Sequence, residues 1–467
     1  MNHTERNANS ITSSMVESLI EKYNSPVPRY TSYPTAVEFS GSFNPDDYFS
    51  ALSKMDSNST SGLYVHIPFC ENRCFYCGCN VIISRRKDMI DVLLNDLFEE
   101  IRFKSSFIPF KPQISQLHFG GGTPNFLRIS DWEKLMGFLR DHFIFANNIE
   151  LSVELDPMVM DENYLTSLRH LGFNRVSFGI QDVNEKTQKA INRIQNIGHI
   201  ERLMDVSRQL NFSSVNVDFI YGLPYQSVQS FQANIDWIKK YKPDRMAMFS
   251  YAHIPWIKKH QANMPAESMP DASEKLKIYL AAESQLNAAG YASIGLDHFA
   301  LESDPMSQAL KNRSLHRNFM GYTTLSDLDQ LAFGPSAISY VQGVYVQNHV
   351  KLRVYERSVR EKKDFFEKGI QLLPEDHIRN YIIQSIMNNL YLDINECEEK
   401  WKINFKEKFA NEIQSLQDFQ DNHLLNISRD AVEIMPQGRY IVRHIAKIFD
   451  EYRKKTAEST VRFSKGI

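Results

Sequence analysis

The sequence predicts an α/β protein organised around a partial (β/α)6 TIM-type barrel, with an N-terminal arm and a small, mostly helical C-terminal domain. Three observations carry this. Short β-branched and aromatic runs alternate with longer segments of helical period over the first two thirds of the chain, the signature of βα units built into a parallel sheet. Residues suited to chemistry recur at the C-terminal ends of those runs, where such folds place their sites. Finally, 467 residues exceed what one compact core usually reaches, so a large domain and a smaller partner are expected.

In chain order, the first 15 or so residues read as a frayed tail. Residues 22–49 are rich in Pro, Tyr, Thr and Ser, and Pro26, Pro28, Pro34 and Pro45 forbid one continuous helix there. Residues 1–55 are therefore assigned to a tail and an arm. Strands are expected at 63–67, 115–119, 150–154, 175–180, 214–220, 246–252 and 291–295, and helices at 87–103, 130–143, 161–171 and 270–289. Six or seven such units suit a partial barrel, assigned to 56–370. Within it, HRNFMGYTT and FGPSAISY read as loops returning to the rim, and VYVQNH as an edge strand. From about Glu375 the pattern is helical, with a short hairpin near 425–435, so 371–467 form the C-terminal domain.

One rim collects the candidate site residues. The first strand runs into Cys70, the second ends in Gly120-Gly121-Gly122-Thr123-Pro124, and the third ends in Glu154 before Asp156. Gln181 follows the fourth, Asp218 and Tyr221-Gly222-Leu223-Pro224 close the fifth, and Ala252-His253 close the sixth.

Composition excludes several classes. Hydrophobic residues at 42%, aromatics at 12% and charged residues at 23% are globular values, not those of a disordered or collagenous chain. Lys+Arg 53 against Asp+Glu 56 leaves a net charge of −3, without a global positive field to hold a nucleic-acid backbone. No apolar run reaches the 18 residues of a spanning helix, and MNHTERNANSITSS has no apolar signal core. A cytoplasmic protein with no nucleic-acid or membrane partner is expected.

The most informative count is that of cysteine. Of five cysteines, Cys70, Cys74, Cys77 and Cys79 fall within ten residues and Cys397 stands apart, a clustering that points to metal or redox chemistry rather than to a disulfide framework. Cys70-x3-Cys74-x2-Cys77 suits a 4Fe-4S cluster with one iron left open. A zinc knuckle completed by Cys79 or His66 is the alternative. Gly121-Gly122-Thr123 lets backbone N–H groups approach a small polar ligand, or is only a tight turn. Glu154 and Asp218 are acceptors suited to ribose hydroxyls, or else helix caps. Arg193 can pair with a cofactor carboxylate, or be a solvated helix charge.

The loop and its surroundings, YVHIPFCENRCFYCGCN, place the chain by resemblance in the radical S-adenosylmethionine (SAM) superfamily. Within it the chain resembles the oxygen-independent coproporphyrinogen III oxidases (dehydrogenases) of bacterial haem biosynthesis. The similarity continues through PRYTSYPTA, HFGGGTP, ELDP, GIQD, DFIYGLP, YAH, DHFA, HRNFMGYTT and SAIS, and so covers most of the chain. The resemblance implies one 4Fe-4S cluster held by Cys70, Cys74 and Cys77 and two SAM molecules. It carries cofactor-binding roles to Tyr64, Gly121, Gly122, Thr123, Glu154, Gln181, Arg193, Asp218, Ala252 and Ile338. Beside the third cysteine this chain has Tyr76 where relatives can carry Phe, which keeps an aromatic face and adds a hydroxyl. Cys79 is the fourth cysteine that accompanies oxidase activity without ligating the cluster, and Cys397 is expected to be a small core residue.

The implied reaction is oxidative decarboxylation of two propionates of coproporphyrinogen III to vinyls, giving protoporphyrinogen IX, by a monomer supplied by an electron donor. Arg29, His316 and Arg317 are candidate partners for substrate carboxylates, the arm is a candidate cover for the substrate, and His66 is expected to position the cysteine loop. Two rivals share parts of the pattern: a radical SAM methyltransferase that opens haem, and a haem-binding chaperone without decarboxylase activity.

Overall fold

The computed structural model describes residues 13–326 and 328–455. Its centre is one twelve-stranded sheet. In chain order the strands are β1 (Thr60–Ile67), β2 (Gln113–Gly121), β3 (Ile144–Leu155), β4 (Arg175–Gln181), β5 (Ser214–Tyr221) and β6 (Arg245–Ser250). They continue with β7 (Tyr291–Ile294), β8 (His298–Leu301), β9 (Asp329–Phe333), β10 (Ile338–Val341), β11 (Val344–Asn348) and β12 (Phe366–Gln371). The spatial order is β12-β11-β10-β9-β1-β2-β3-β4-β5-β6-β8-β7, with β9 and β1 to β6 mutually parallel. The two edges, β12 and β7, do not pair, so the barrel stays open.

The outer face of these strands is apolar. Leu117, Phe119, Val153, Phe178, Val217, Phe219 and Met248 are buried in one core with the helices Asp88–Ser105, Ile129–His142, Glu162–His170 and Val228–Tyr241. These helices start where polar side chains satisfy free backbone N–H groups: Asp161 accepts from Tyr164 N, and Ser227 from Ser230 N. The inner face differs. Register aligns Tyr64 with His118, His118 with Ser152, Ser152 with Arg175, and Gly179 with Asp218. Period-2 alternation therefore gives the barrel a polar lining, where a filled barrel would have stacked aliphatic residues.

Several expectations need correction. The seventh strand, expected at 291–295, is present as β7 but lies at the edge, separated from β6 by the antiparallel β8. The seventh parallel strand is β9, on the other side of β1, in a stretch between HRNFMGYTT and FGPSAISY where no strand was expected. VYVQNH does not form the edge: β11 pairs with β10 on one side and β12 on the other, and β12 is the edge. FGPSAISY contributes β10, and HRNFMGYTT forms a hairpin of His316–Asn318 with Gly321–Thr323. The sixth strand stops at Ser250, so Ala252 lies beyond it. The tail expected to reach residue 15 falls mostly outside the described residues, yet a helix begins at Ser13.

The arm packs on the far end of the chain. Tyr23, Val27, Tyr30 and Tyr33 are buried in one cluster with Ile382, Ile386, Leu416, Val442 and Phe449. Tyr30 donates its hydroxyl to Asp450 at 2.9 Å, and Lys22 pairs with Asp418. The C-terminal helices carry a three-stranded sheet of Tyr391–Asp393, Ala431–Ile434 and Leu425–Ile427, which includes the expected hairpin. Cys397 is buried there. No described helix is long and apolar enough to cross a membrane.

Candidate active site

The open barrel encloses a cavity of about 880 Å³, lined by the inward residues of β2 to β6 and capped by the cysteine loop. Cys70, Cys74, Tyr76, Cys77, Cys79, Gly121, Gly122, Thr123, Glu154, Gln181, Arg193 and Asp218 all line it. Residues from six separate chain segments thus meet at the C-terminal strand ends.

The loop is held by its own backbone and by its neighbours. Phe69–Cys70 pairs in parallel with Ile82–Ile83, closing the loop at its base. Its carbonyls accept from other strand-end segments: Arg73 O from Asn192, Tyr76 O from Gln261, Cys77 O bonds with His260, and Cys79 O accepts from Lys258. With the backbone fixed from outside, the thiols remain available. Cys70 Sγ is 3.1 Å from Thr123 Oγ1, and Arg193 Nη1 lies 3.6 Å from Cys74 Sγ. The Cys79 thiol bonds to Cys77 and draws Cys77 down to about 6, a charge state suited to metal ligation.

This donor set fits a cluster better than a single ion. Among the described residues, no three His, Cys, Asp or Glu side chains converge on a single-ion site. His66, the alternative zinc ligand, has both ring nitrogens occupied: Nδ1 bonds with Tyr64 Oη and Nε2 with Asn80 O, each at 3.1 Å. Burial holds His66 below its ordinary value, so the ring is neutral. A neutral ring that must donate to the Asn80 carbonyl carries its proton on Nε2 and accepts the Tyr64 hydroxyl at Nδ1. His66 thereby ties β1 to the residue after Cys79.

The glycine turn is sterically required. Gly121 has φ +117°, and a Cβ there would stand 2.5 Å from His66 Cε1. At Gly122 a Cβ would meet the Pro68 and Phe69 backbone at 2.8 Å. Glycine alone lets β2 pass this close to the loop. Behind the turn, the Tyr64 ring stacks on His118 at 5.9 Å, His118 Nε2 reaches Glu154 Oε1 at 3.1 Å, and Glu154 Oε2 accepts from Gly121 N at 3.3 Å. Burial in the barrel pushes Glu154 upward, but His118 and the Gly121 N–H outweigh it and leave the carboxylate below its usual range. Its side chain is still 46% accessible because it faces the cavity.

Asp218 behaves oppositely. Burial and the nearby Glu154 charge push it up to about 7. Two carboxylates in one cavity thus differ in proton affinity, one a fixed anion and the other able to donate or accept. Between them, Arg193 bonds Asp156 at 3.0 Å and Gly179 O at 2.7 Å. Gln181 turns with φ +68°, a left-handed conformation rare for a residue with a side chain, at the strand end that faces Arg193.

Three expected cofactor residues do not line the cavity. Tyr64 stands behind His118, Ala252 offers its carbonyl to Gln261, and Ile338 packs beside Phe39, Tyr345 and Leu372. The expected carboxylate partners also lie outside the cavity lining. Arg29 pairs with Asp297 at 2.8 Å, Arg317 bonds Tyr322 Oη, and His316 sits in the hairpin. Conversely, His118, Ser152 and the Lys258–Gln261 supports were not expected. A strict period-2 reading of HFG and of LSVEL would have found His118 and Ser152, whereas the supports act from loops without a local pattern.

Comparison with known proteins agrees with this geometry. Residues 64–238 match the radical SAM superfamily. An oxygen-independent coproporphyrinogen III oxidase from Synechocystis is 40% identical over 454 residues, 96% of this chain and 97% of the relative. One from Escherichia coli is 38% identical over 439 residues, 94% and 96% of the two chains. The solved coproporphyrinogen III oxidase of Escherichia coli, described as a radical SAM enzyme, superimposes with a TM-score of 0.89 at 36% identity, covering 93% of this chain and 98% of the other. The three-cysteine loop, the glycine turn beside it and this similarity along nearly the whole length lead to one assignment: the chain belongs to the oxygen-independent coproporphyrinogen III oxidase family of the radical SAM superfamily.

Proposed function

We propose that this protein converts coproporphyrinogen III to protoporphyrinogen IX by oxidative decarboxylation of two propionates to vinyls, without oxygen. Family membership implies a 4Fe-4S cluster and SAM. The observation that carries the reading is the convergence of three thiols, Arg193 and a glycine turn on one large polar cavity. When bound, the open-iron cluster and SAM supply one-electron cleavage of a C–S bond and a radical able to abstract hydrogen.

The chain's own residues do the rest. Cys70, Cys74 and Cys77 ligate, and Arg193 places a positive charge beside Cys74 and within reach of a cofactor carboxylate. Glu154 accepts hydroxyl protons as a fixed anion, and Asp218, poised near neutrality, accepts or donates. Gly121, Gly122, Thr123 and Gln181 shape the binding wall. A substrate propionate loses a β-hydrogen atom, then CO₂ and one electron, leaving the vinyl; the electron goes to an external acceptor. The cavity volume accords with two SAM molecules. The reading further holds that the protein acts in the cytoplasm as a monomer, with the arm of residues 1–55 covering the substrate, residues 56–370 forming the radical SAM unit and 371–467 anchoring the arm.

The test is anaerobic. Protein reconstituted with iron and sulfide should turn coproporphyrinogen III into a divinyl product with SAM and a reductant. Methylated or ring-opened haem, or tight haem binding with no turnover, would replace this reading with one of its rivals.

A further inference from the structure

The outer side of the cysteine loop has a character of its own. Among the described residues the most exposed large apolar side chains are Ile194 (65%), Leu373 (62%), Ile257 (58%) and Trp256 (55%). Single exposed apolar residues are ordinary on a protein surface, but three of these four stand on the two segments that fasten the loop from outside. In the first, Ile191 O accepts from Phe75 N at 2.9 Å, and Asn192, two residues before Ile194, donates to Arg73 O at 2.8 Å. In the second, Lys258, His260 and Gln261 reach the carbonyls of Cys79, Cys77 and Tyr76, directly after Trp256 and Ile257. The two segments share a buried apolar cluster, Ile191 with Tyr251 and Met264, against which Phe75 and Tyr76 pack. They therefore border the loop together.

The same border is cationic. The chain as a whole carries a charge of −3, yet residues 251–263 hold Lys258 and Lys259 and no carboxylate. Around the loop, Glu71 is matched by Lys87, Glu185 by Lys189 and Asp156 by Arg193. Arg73, Lys258 and Lys259 have no carboxylate partner among the described residues, so the surface beside the thiols is locally positive. Trp256, Ile257, Lys258 and Lys259 do not line the cavity, whereas Arg73 and Ile194 do. Most of this surface thus lies outside the space assigned to cofactor and substrate.

The proposed reaction draws one electron into the cluster from outside the chain, and no protein can enter a cavity of about 880 Å³. A protein donor must approach the loop from its outer side. Exposed aromatic and aliphatic anchors rimmed by charge are the composition of a protein docking surface. Resting on that reading of the cluster, we infer that Trp256, Ile257, Ile194 and Lys259, beside Arg73 and Lys258, form the docking surface for a small acidic one-electron carrier protein. The carrier gives up one electron and the cluster takes it up; no bond is made and no proton moves. Charge complementarity sets the sign of the partner, and Trp256 supplies the apolar anchor.

The experiment uses the full holoprotein with a flavodoxin, an acidic flavin carrier, as the probe. Its Kd is measured by calorimetry, and SAM cleavage is followed as 5′-deoxyadenosine with either flavodoxin or dithionite as reductant. Binding should weaken as salt rises. Trp256→Ala combined with Lys259→Glu should raise Kd by at least about tenfold and lower the flavodoxin-driven rate at subsaturating carrier. The dithionite-driven rate and the iron content should stay at the parent's level. Leu373→Ala, similarly exposed but at the start of the helix Pro374–Asn389, should leave Kd unchanged. An unchanged Kd in the double variant, no flavodoxin binding by the unaltered protein, or an equal loss with both reductants overturns the inference. Self-association abolished by the same double variant would overturn it too, and give the surface to a second copy of the chain. Absence of 5′-deoxyadenosine from the unaltered protein with dithionite would instead reject the cluster reading, and the inference with it.

Discussion

Arg193 and Cys74 meet through a shared nitrogen: Nη1 stands 3.6 Å from the sulfur and 3.0 Å from the Asp156 carboxylate. The guanidinium is thereby fixed at the edge of the cysteine loop before any ligand arrives. Arg193→Met removes this charge and the Gly179 contact while keeping bulk. Reductive cleavage of SAM, followed as 5′-deoxyadenosine, should fall at least about tenfold, with Arg193→Lys intermediate because it restores charge but not the planar fork. Equal rates in all three proteins would contradict the role.

Asp218 gives a pH test. Its folded value, pushed up to about 7, lies above the ordinary 3.8. The folded state therefore binds this proton more tightly, and stability falls as pH rises from about 4 towards 7. In cofactor-free protein, Asp218→Asn should melt at a higher temperature than the parent at pH 8, and the gap should close by pH 4. A constant gap would show that charge at Asp218 is not the cause.

Lys104 and Glu100 form a wholly buried ion pair at 2.6 Å. Glu100 also accepts from Tyr355, Asn348 and Gly334 N, joining the helix Asp88–Ser105 to β11 and the helix Leu352–Glu361. Lys104→Met leaves that carboxylate uncompensated and should cost about 3–5 kcal/mol in urea unfolding. Adding Glu100→Leu should recover part of the loss rather than double it.

Gly121→Ala should disturb the loop through His66. The added methyl demands φ +117° and collides with the ring that holds Asn80 O. Iron retained per chain after reconstitution should drop, whereas Gly137→Ala, which meets no atom within 4 Å, should match the parent. Cys79→Ser should retain iron, and Cys70→Ser, Cys74→Ser and Cys77→Ser should not.

The legible part of this molecule was local. Six parallel strands and the residues at their ends follow from runs and spacing, since a strand with one face against helices and the other lining a polar cavity reads as an apolar alternation. The cysteine loop was legible because three thiols so close in sequence have few other uses. What escaped was non-local. β9 gives no strand signal in isolation, because its strand character comes from pairing with β1 across more than 260 positions of sequence. His298 sits beside Asp297 in DHFA, but Asp297 is held by Arg29 of the arm, and no sequence pattern joins an arm to β8. Where Ile338 packs is likewise non-local: its side chain lies beside Phe39 and Tyr345, outside the cavity lining.

The bond from Tyr30 to Asp450 spans 420 residues. A ribosome making this chain completes the cysteine loop and all twelve strands before the arm's anchoring surface exists. Seating Tyr30 is then a late event, placed after the cysteine loop and the sheet by the direction of translation alone.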